Sequence, residues 1–337
     1  MDNKIVSYIF EMIGTFIYRM MIKNVRLFNI FHKLRIKLLK YRDPIVSVNI
    51  GDTVLSLNLS HNLPLYYTKY DRYDRVIPEL CFLLKQKEKF LNIIDIGANI
   101  GDTAIFIDKR MSKPIDNIDG YGEILCVEGV KEFIHLLYKN TSQLKIINAH
   151  IAETFCSDDS KKASDYEIHI SSPGSAQLVK RVNENSCDHT FTTLDELVNA
   201  YPIFQCTNIL KIDTDGFESS VLRGGKNFLQ KNSPAIFFEF TPSGFINSGT
   251  ITPDDEEIFH ILSDLGYEKS LFYDNFGYLC HAVNMCDSDK IKNCIKKIDS
   301  RKIYYYDILT VHKNKIVHNE LLKTLVKNDG YPEDEYF

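Results

Sequence analysis

The sequence predicts an α/β fold, a mostly parallel β-sheet covered by helices on both faces. Three observations carry this prediction. Near-continuous apolar runs occupy residues 91–96, 124–127, 145–151, 208–212 and 235–240. Helical patterns interleave with them at 103–110, 131–140, 194–200 and 218–229. A glycine-bearing turn joins the first run to the first helix. Strands that do not alternate need both faces buried, and crossover helices supply that cover. The chain has 337 residues, 44% of them hydrophobic and 25% charged. That composition excludes a disordered chain, a fibre and a polytopic membrane protein, and it allows a large core.

The elements outside this rhythm come in order. Residues 1–42 carry nine Lys/Arg and two Asp/Glu, a local charge of +7, so the rest of a chain of net charge −5 carries −12. An acidic body does not suit nucleic acid. The apolar stretch 5–18 contains Glu11 and is shorter than the ~20 residues that span a bilayer. Arg19, Lys23, Arg26, Lys33, Lys37 and Lys40 follow at helical spacing, along one face of an amphipathic arm. Such an arm either packs on the body or lies on an anionic membrane, and peripheral contact through residues 19–40 is the second expectation. Residues 43–75 form a β-hairpin, alternating over 46–60 around Gly51-Asp52, and a linker. A helix follows at 76–87. The polar region 152–192 reads as an insertion with short strands and a mobile loop around 171–177.

Near the C-terminus, 269–273 and 278–283 flank a hairpin signal at Asp274-Asn275-Phe276-Gly277, followed by a helix at 289–298 and a strand at 304–311. The main domain is therefore 76–315, and a C-terminal helix and tail occupy 316–337. Eight cysteines without a CxxC pair match a reduced, cytoplasmic protein rather than a disulfide framework.

The strongest functional signal is NIIDIGANIGDT at 92–103. Asp95, Gly97, Asn99 and Gly101 follow an apolar strand with the spacing D-x-G-x-N-x-G. This is neither the G-x-G-x-x-G of dinucleotide sites nor a P-loop. Glu128 ends the next strand, where a carboxylate can accept hydrogen bonds from ribose hydroxyls. It lies 27 residues beyond Gly101, and the polar stretch 112–122 accounts for a separation above the usual ~20. Glycine loop, helix and acidic strand end together indicate a ribose-bearing cofactor.

These motifs resemble class I S-adenosylmethionine (SAM) methyltransferases. TTLDEL at 192–197, NILKIDTDGFESSVLRGG at 208–225 and YYYDILTVHK at 304–313 resemble the FkbM family in particular. The resemblance covers about residues 76–313. It implies a Rossmann-like, seven-stranded sheet with an antiparallel last strand. It also implies methyl transfer from SAM to a hydroxyl of a sugar, glycan or secondary metabolite. Gly97, Asn99 and Gly101 would cradle the methionine portion, Asp95 would help orient its ammonium, and Glu128 would hold the ribose. Ligands of open α/β sheets bind at the carboxyl ends of strands, where Asp213 and Glu239 also lie. Asp213 would meet cofactor and acceptor and is the first candidate base. Glu239 is the second, with Asp215 in reserve. The same three carboxylates could instead hold Mg²⁺, although no metal is expected. His150 is placed near adenine. An NAD-dependent oxidoreductase and a non-catalytic binding protein are the alternative classes; Asn99, in place of a glycine, weighs against the first.

Overall fold

The computed structural model describes residues 3–50, 53–112, 122–160, 166–172, 175–180, 190–242, 252–298 and 303–331. Two helices, α1 (Asn3–Lys23) and α2 (Phe28–Leu39), precede the hairpin β1 (Ile45–Ile50) and β2 (Thr53–Asn58). Short α3 (Leu63–Lys69) and α4 (Val76–Lys85) lead into β3 (Leu91–Ile96), α5 (Asp102–Met111), β4 (Gly122–Val127), α6 (Lys131–Thr141) and β5 (Ile147–Ala152). The insertion holds β6 (Phe155–Cys156), β7 (Tyr166–Ser172), β8 (Ser175–Lys180) and β9 (Phe191–Thr192). Then come α7 (Leu194–Ala200), β10 (Ile209–Ile212), α8 (Glu218–Gly224), α9 (Lys226–Asn232), β11 (Ala235–Phe240) and α10 (Pro253–Asp264). The chain continues through β12 (Tyr267–Asp274), β13 (Leu279–Asn284), α11 (Ser288–Ile295), β14 (Tyr306–His312) and α12 (Ile316–Asn328).

The main sheet has the order β13-β12-β14-β11-β10-β3-β4-β5. β5, β4, β3, β10 and β11 run parallel, and β14 runs antiparallel to β11, as expected of the last strand. The sheet has eight strands where the resemblance implies seven. The extra one, β13, returns through the hairpin at Asp274–Gly277 and pairs antiparallel with the edge of β12. Successive residues of each buried strand enter opposite layers. Ile94, Ile96, Leu210 and Phe238 join the layer that includes Leu194, Val221 and Phe259. Ile93, Ile209 and Phe237 join the layer of Leu80, Ile107 and Leu322. Each fully buried aliphatic contributes about 1.5–3 kcal/mol.

Several boundaries have local causes. Helix α7 starts where the sequence places it because Thr193 and Glu196 form a capping box. Glu196 N–H donates to Thr193 Oγ1 at 3.1 Å, and Thr193 N–H donates to Glu196 Oε2 at 2.9 Å. The helix expected over 218–229 divides at Gly225 into α8 and α9. The single N-terminal helix expected over 19–40 also divides. Asn24 Oδ1 accepts the N–H groups of Arg26 and Leu27 at 3.2 and 3.3 Å, an alternative to helical bonding. The basic residues therefore lie on two helices and the turn between them. Conversely, α1 outruns the apolar stretch 5–18 because Met20, Met21 and Ile22 extend it past Arg19.

The hairpin β1–β2 sits over α5 and α6 through Val48, Leu55, Leu57, Ile105 and Leu136. Buried Asn140 ties it there: its Oδ1 accepts Ser56 N–H at 2.9 Å, and its Nδ2 donates to Ser56 O and Ile100 O, each at 2.8 Å. The expected turn at Gly51-Asp52 lies outside the described residues, as do 113–121 and 332–337. Strands β7 and β8 occupy most of the segment expected as a loop over 171–177, of which 173–174 are not described. The seven described cysteines are free, and Cys187 is not described.

Candidate active site

The strand ends of β3, β4, β10, β11 and β14 open onto a cavity of about 460 Å³, within the range of small-molecule sites. Its first wall is backbone. Gly97 (φ +82°) brings the β3 turn so close to β10 that an added Cβ would lie 1.7 Å from the Asp213 carbonyl oxygen. Only glycine fits there. Gly97 and Ala98 N–H both donate to Val127 O at 3.0 Å. Asn99, at φ 49°, donates its N–H to Glu128 Oε2 at 2.8 Å, and Val130 N–H donates to Glu128 Oε1 at 2.7 Å. Glu128 thus fastens the two cofactor-type loops together while lining the cavity. Burial pushes its carboxyl up to about 7, against the pull of these backbone donors.

Strand register sets the charges. Lys211 of β10 is the parallel neighbour of Asp95 of β3. Its Nζ lies 3.2 Å from Asp95 Oδ1 and 3.1 Å from Asp213 Oδ2. Burial alone would lower the Lys211 ammonium; Asp213, Asp95 and Asp102 outweigh it and hold the ammonium well above its ordinary range.

A second wall carries carboxyls. Glu239 of β11 and Asp307 of β14 are register partners, so both project to one side of the sheet, and both line the cavity. Like charges placed opposite one another on a sheet repel. Burial first, then Asp213 and Asp307, pushes Glu239 well above the carboxylate range. Burial and then Asp74 and Asp213 do the same to Asp307. Asp74 (φ 53°), between α3 and α4, joins them with Tyr73 and Tyr305. Asp74 is exposed at the cavity mouth, where the surrounding protein and then the Asp102 charge push it up to about 8; burial raises Asp102 to about 6.

Of the residues singled out by sequence, the cavity gathers Gly97, Asn99, Glu128, Asp213, Asp215 and Glu239. It does not gather Asp95, Gly101 or His150. Asp95 is fully buried and points at Lys211. Gly101 (φ +81°) starts α5, and an added Cβ would meet Leu137 Cδ1 at 2.8 Å, so its place is packing. His150 Nε2 lies 2.7 Å from Glu123 Oε2, with its ring edge-on to Phe204. The loop after Asp213 is held by Glu218, whose Oε1 accepts Thr214 and Gly216 N–H at 3.0 and 3.2 Å. Among the described residues, no group of three or more His, Cys, Asp or Glu side chains could hold a metal. Sequence reasoning missed Asp74, Asp102, Lys211, Tyr73, Tyr305 and Asp307. A lysine inside the apolar run 208–212 and an aspartate inside the last strand were the available signals, since a charge within a buried strand needs a partner or a use.

The family profile of the Methyltransferase FkbM domain matches residues 95–269, more than half of the chain. The chain belongs to the FkbM methyltransferase family. Its fold is the Rossmann-like α/β fold of class I methyltransferases, and the family match, not the fold, sets aside the oxidoreductase alternative. The FkbM match runs from within β3 to within β12, so Asp74 and Asp307 lie outside it. No curated protein matches the sequence. Among solved structures, the chain is similar to methyltransferase FkbM from Methylobacillus flagellatus KT. Identity is 14% over 55% of this chain, with a TM-score of 0.34, and the chain spans only 40% of that protein's length. It is also similar to Aeropyrum pernix fibrillarin, a complex with natively bound S-adenosyl-L-methionine. There identity is 11%, coverage 80% of this chain and 83% of that one, and the TM-score 0.38. A SAM-dependent methyltransferase from Aquifex aeolicus shows 11% identity, coverage of 75% and 94%, and a TM-score of 0.33.

Proposed function

We propose that the protein transfers a methyl group from SAM to a hydroxyl of a sugar, glycan or other small-molecule acceptor. The observation that carries this reading is the Glu239–Asp307 pair in the same cavity as Gly97, Asn99 and Glu128. The residues present suit the cofactor. Gly97 leaves room for close backbone approach, and Asp213, ion-paired with Lys211, and Asp102 lie in the same cavity that a ligand carrying a sulfonium and an ammonium would occupy. Each Glu128 oxygen accepts one backbone N–H and keeps a further acceptor site for ribose hydroxyls. Val130, Phe133 and Phe155 provide apolar surface for a planar base. Bound SAM supplies an electrophilic methyl carbon.

The protein's own task is to align the acceptor and receive its proton. Asp213 is committed to Lys211 at 3.1 Å, so we assign it to positioning. Glu239 takes its place as the base. A carboxylate of raised proton affinity is the better match for a hydroxyl proton, and Glu239 is raised by burial and then by Asp213 and Asp307. Asp307 keeps that affinity high by proximity.

Incubation with methyl-labelled SAM and a panel of sugars, glycans and hydroxylated small molecules tests the reading. Label in a base-stable ether of one hydroxyl acceptor is the expected product. Transfer only to amines would overturn the O-methyl assignment. Tight SAM binding with no transfer to any acceptor would mark a binding protein.

A further inference from the structure

We propose that the helical hairpin α1–α2 seats the protein on the surface of an anionic lipid bilayer. Helix α1 is apolar on both sides. Its inner side, Ile17, Tyr18 and Met21, is buried against the hairpin region. Its outer side presents Ile5, Tyr8, Ile9, Met12, Ile13 and Phe16, each 44–62% exposed. The spacing i, i+3, i+4, i+7, i+8, i+11 makes one continuous stripe. A helix on the surface of a soluble body is ordinarily polar on that side. Helix α2 widens the patch with exposed Ile30 and Leu34, and Phe31 meets Phe16 edge-on at 5.9 Å between ring centroids. A contiguous apolar patch of this kind marks an interaction surface.

The charges around the patch select the occupant. Arg19 and Lys23 continue the exposed stripe of α1, and Lys33, Lys37 and Lys40 are exposed along α2. Among the described residues, Lys23, Lys33, Lys37 and Lys40 form no ion pair, and Glu11 is the one acidic residue in residues 3–42. Apolar side chains bordered by unneutralised cations complement acyl chains beneath anionic headgroups. A second copy of the chain, docked through the same patch, would bring like charges together.

The contacts also select the depth. α1 is long and apolar enough to cross a membrane by length and composition alone. Crossing would tear its inner side from the body, where Tyr18 OH donates to His61 O. Arg35 of α2 is likewise buried: its Nε donates to Leu59 O at 2.7 Å and its Nη2 to Asn62 Oδ1 at 2.9 Å. The pair therefore lies flat, with the stripe of α1 against lipid. The sequence alone locates such contact in the basic residues 19–40; the apolar stripe that completes it precedes them.

The test is pelleting of the full chain with vesicles of phosphatidylcholine plus phosphatidylglycerol, against phosphatidylcholine alone, at low salt. Each basic residue near an anionic surface favours binding by about fivefold, so partition into the mixed vesicles should be at least ~10-fold stronger and should fall as salt rises. Ile9→Asp with Phe16→Asp should reduce pelleting at least ~10-fold while the protein stays cooperatively folded, because both side chains are about half exposed and only the edge contact of Phe16 with Phe31 is lost. Lys33→Glu with Lys37→Glu should abolish the preference for the anionic vesicles. The proposal is overturned if the wild type stays in the supernatant with phosphatidylglycerol vesicles. It is equally overturned if the wild type is a dimer that Ile9→Asp with Phe16→Asp converts to monomer.

Discussion

The two walls of the cavity are assembled in opposite ways. The cofactor wall comes from two consecutive strand-to-helix turns and is fastened by short-range hydrogen bonds: Gly97 and Ala98 to Val127, Asn99 and Val130 to Glu128. The wall proposed to meet the acceptor is gathered from the linker before α4, the end of β11 and the last strand, and its carboxyls repel one another. The first wall lies inside the FkbM match, whereas Asp74 and Asp307 lie outside it. The difference separates two kinds of constraint. Backbone geometry makes the cofactor wall intolerant of added volume. Clustered carboxyls make the second wall sensitive to charge.

The largest effect should come from breaking the first wall. Gly97→Ala puts a Cβ against the Asp213 carbonyl at a positive φ. Overpacking and left-handed strain together cost about 2–5 kcal/mol. Urea denaturation should show a stability loss of that size or no folded protein; a loss below ~1 kcal/mol would mean the turn yields easily.

On the second wall the effect should fall on chemistry instead. Glu239→Gln keeps the shape and removes the proposed base, and turnover should drop about 10²-fold with no loss of melting temperature. Asp307→Asn, which leaves Glu239 in place, should lower turnover less than Glu239→Gln and shift the rising limb of the pH–rate profile to lower pH. An unchanged profile would remove Asp307 from that role.

The smallest effect sharpens the comparison through pH. Glu128, Asp102 and Asp74 are raised to about 7, 6 and 8, above the ~4 of an unfolded carboxyl. Their protonated forms are favoured by folding, so this stability is full below pH ~4 and lost as pH rises toward ~8. Asp74 opens to the cavity, so water screens its share. The melting temperature of the ligand-free protein should therefore fall between pH ~5 and ~8; a rise across that window would contradict the raised carboxyls.

What the sequence made legible follows the same division. Gly97, Asn99 and Glu128 are readable because strand, turn and helix are local, and α7 because its capping box is. Asp213, Asp215 and Glu239 follow from the strand-end rule. Asp307 and Asp74 are not readable, because their place depends on the β11–β14 register and on a linker conformation set by the packed body. Motif spacing also does not say which way a residue points, which is why Asp95 turns out to hold Lys211 and Gly101 to pack against α6. The break at Asn24 is not legible because one side chain bonding two amides outweighs an otherwise continuous helical pattern.

The central claim is that one wall holds SAM while the other receives the acceptor's proton. Calorimetric titration of SAM into the wild type, Glu128→Ala and Glu239→Gln tests it without knowledge of the acceptor. The wild type should bind. Glu128→Ala should weaken binding more than ~10-fold, since charge-assisted hydrogen bonds contribute roughly 1.5–3 kcal/mol each, and Glu239→Gln should stay within about threefold. No binding by the wild type, or equal losses in the two variants, would contradict the division of the cavity.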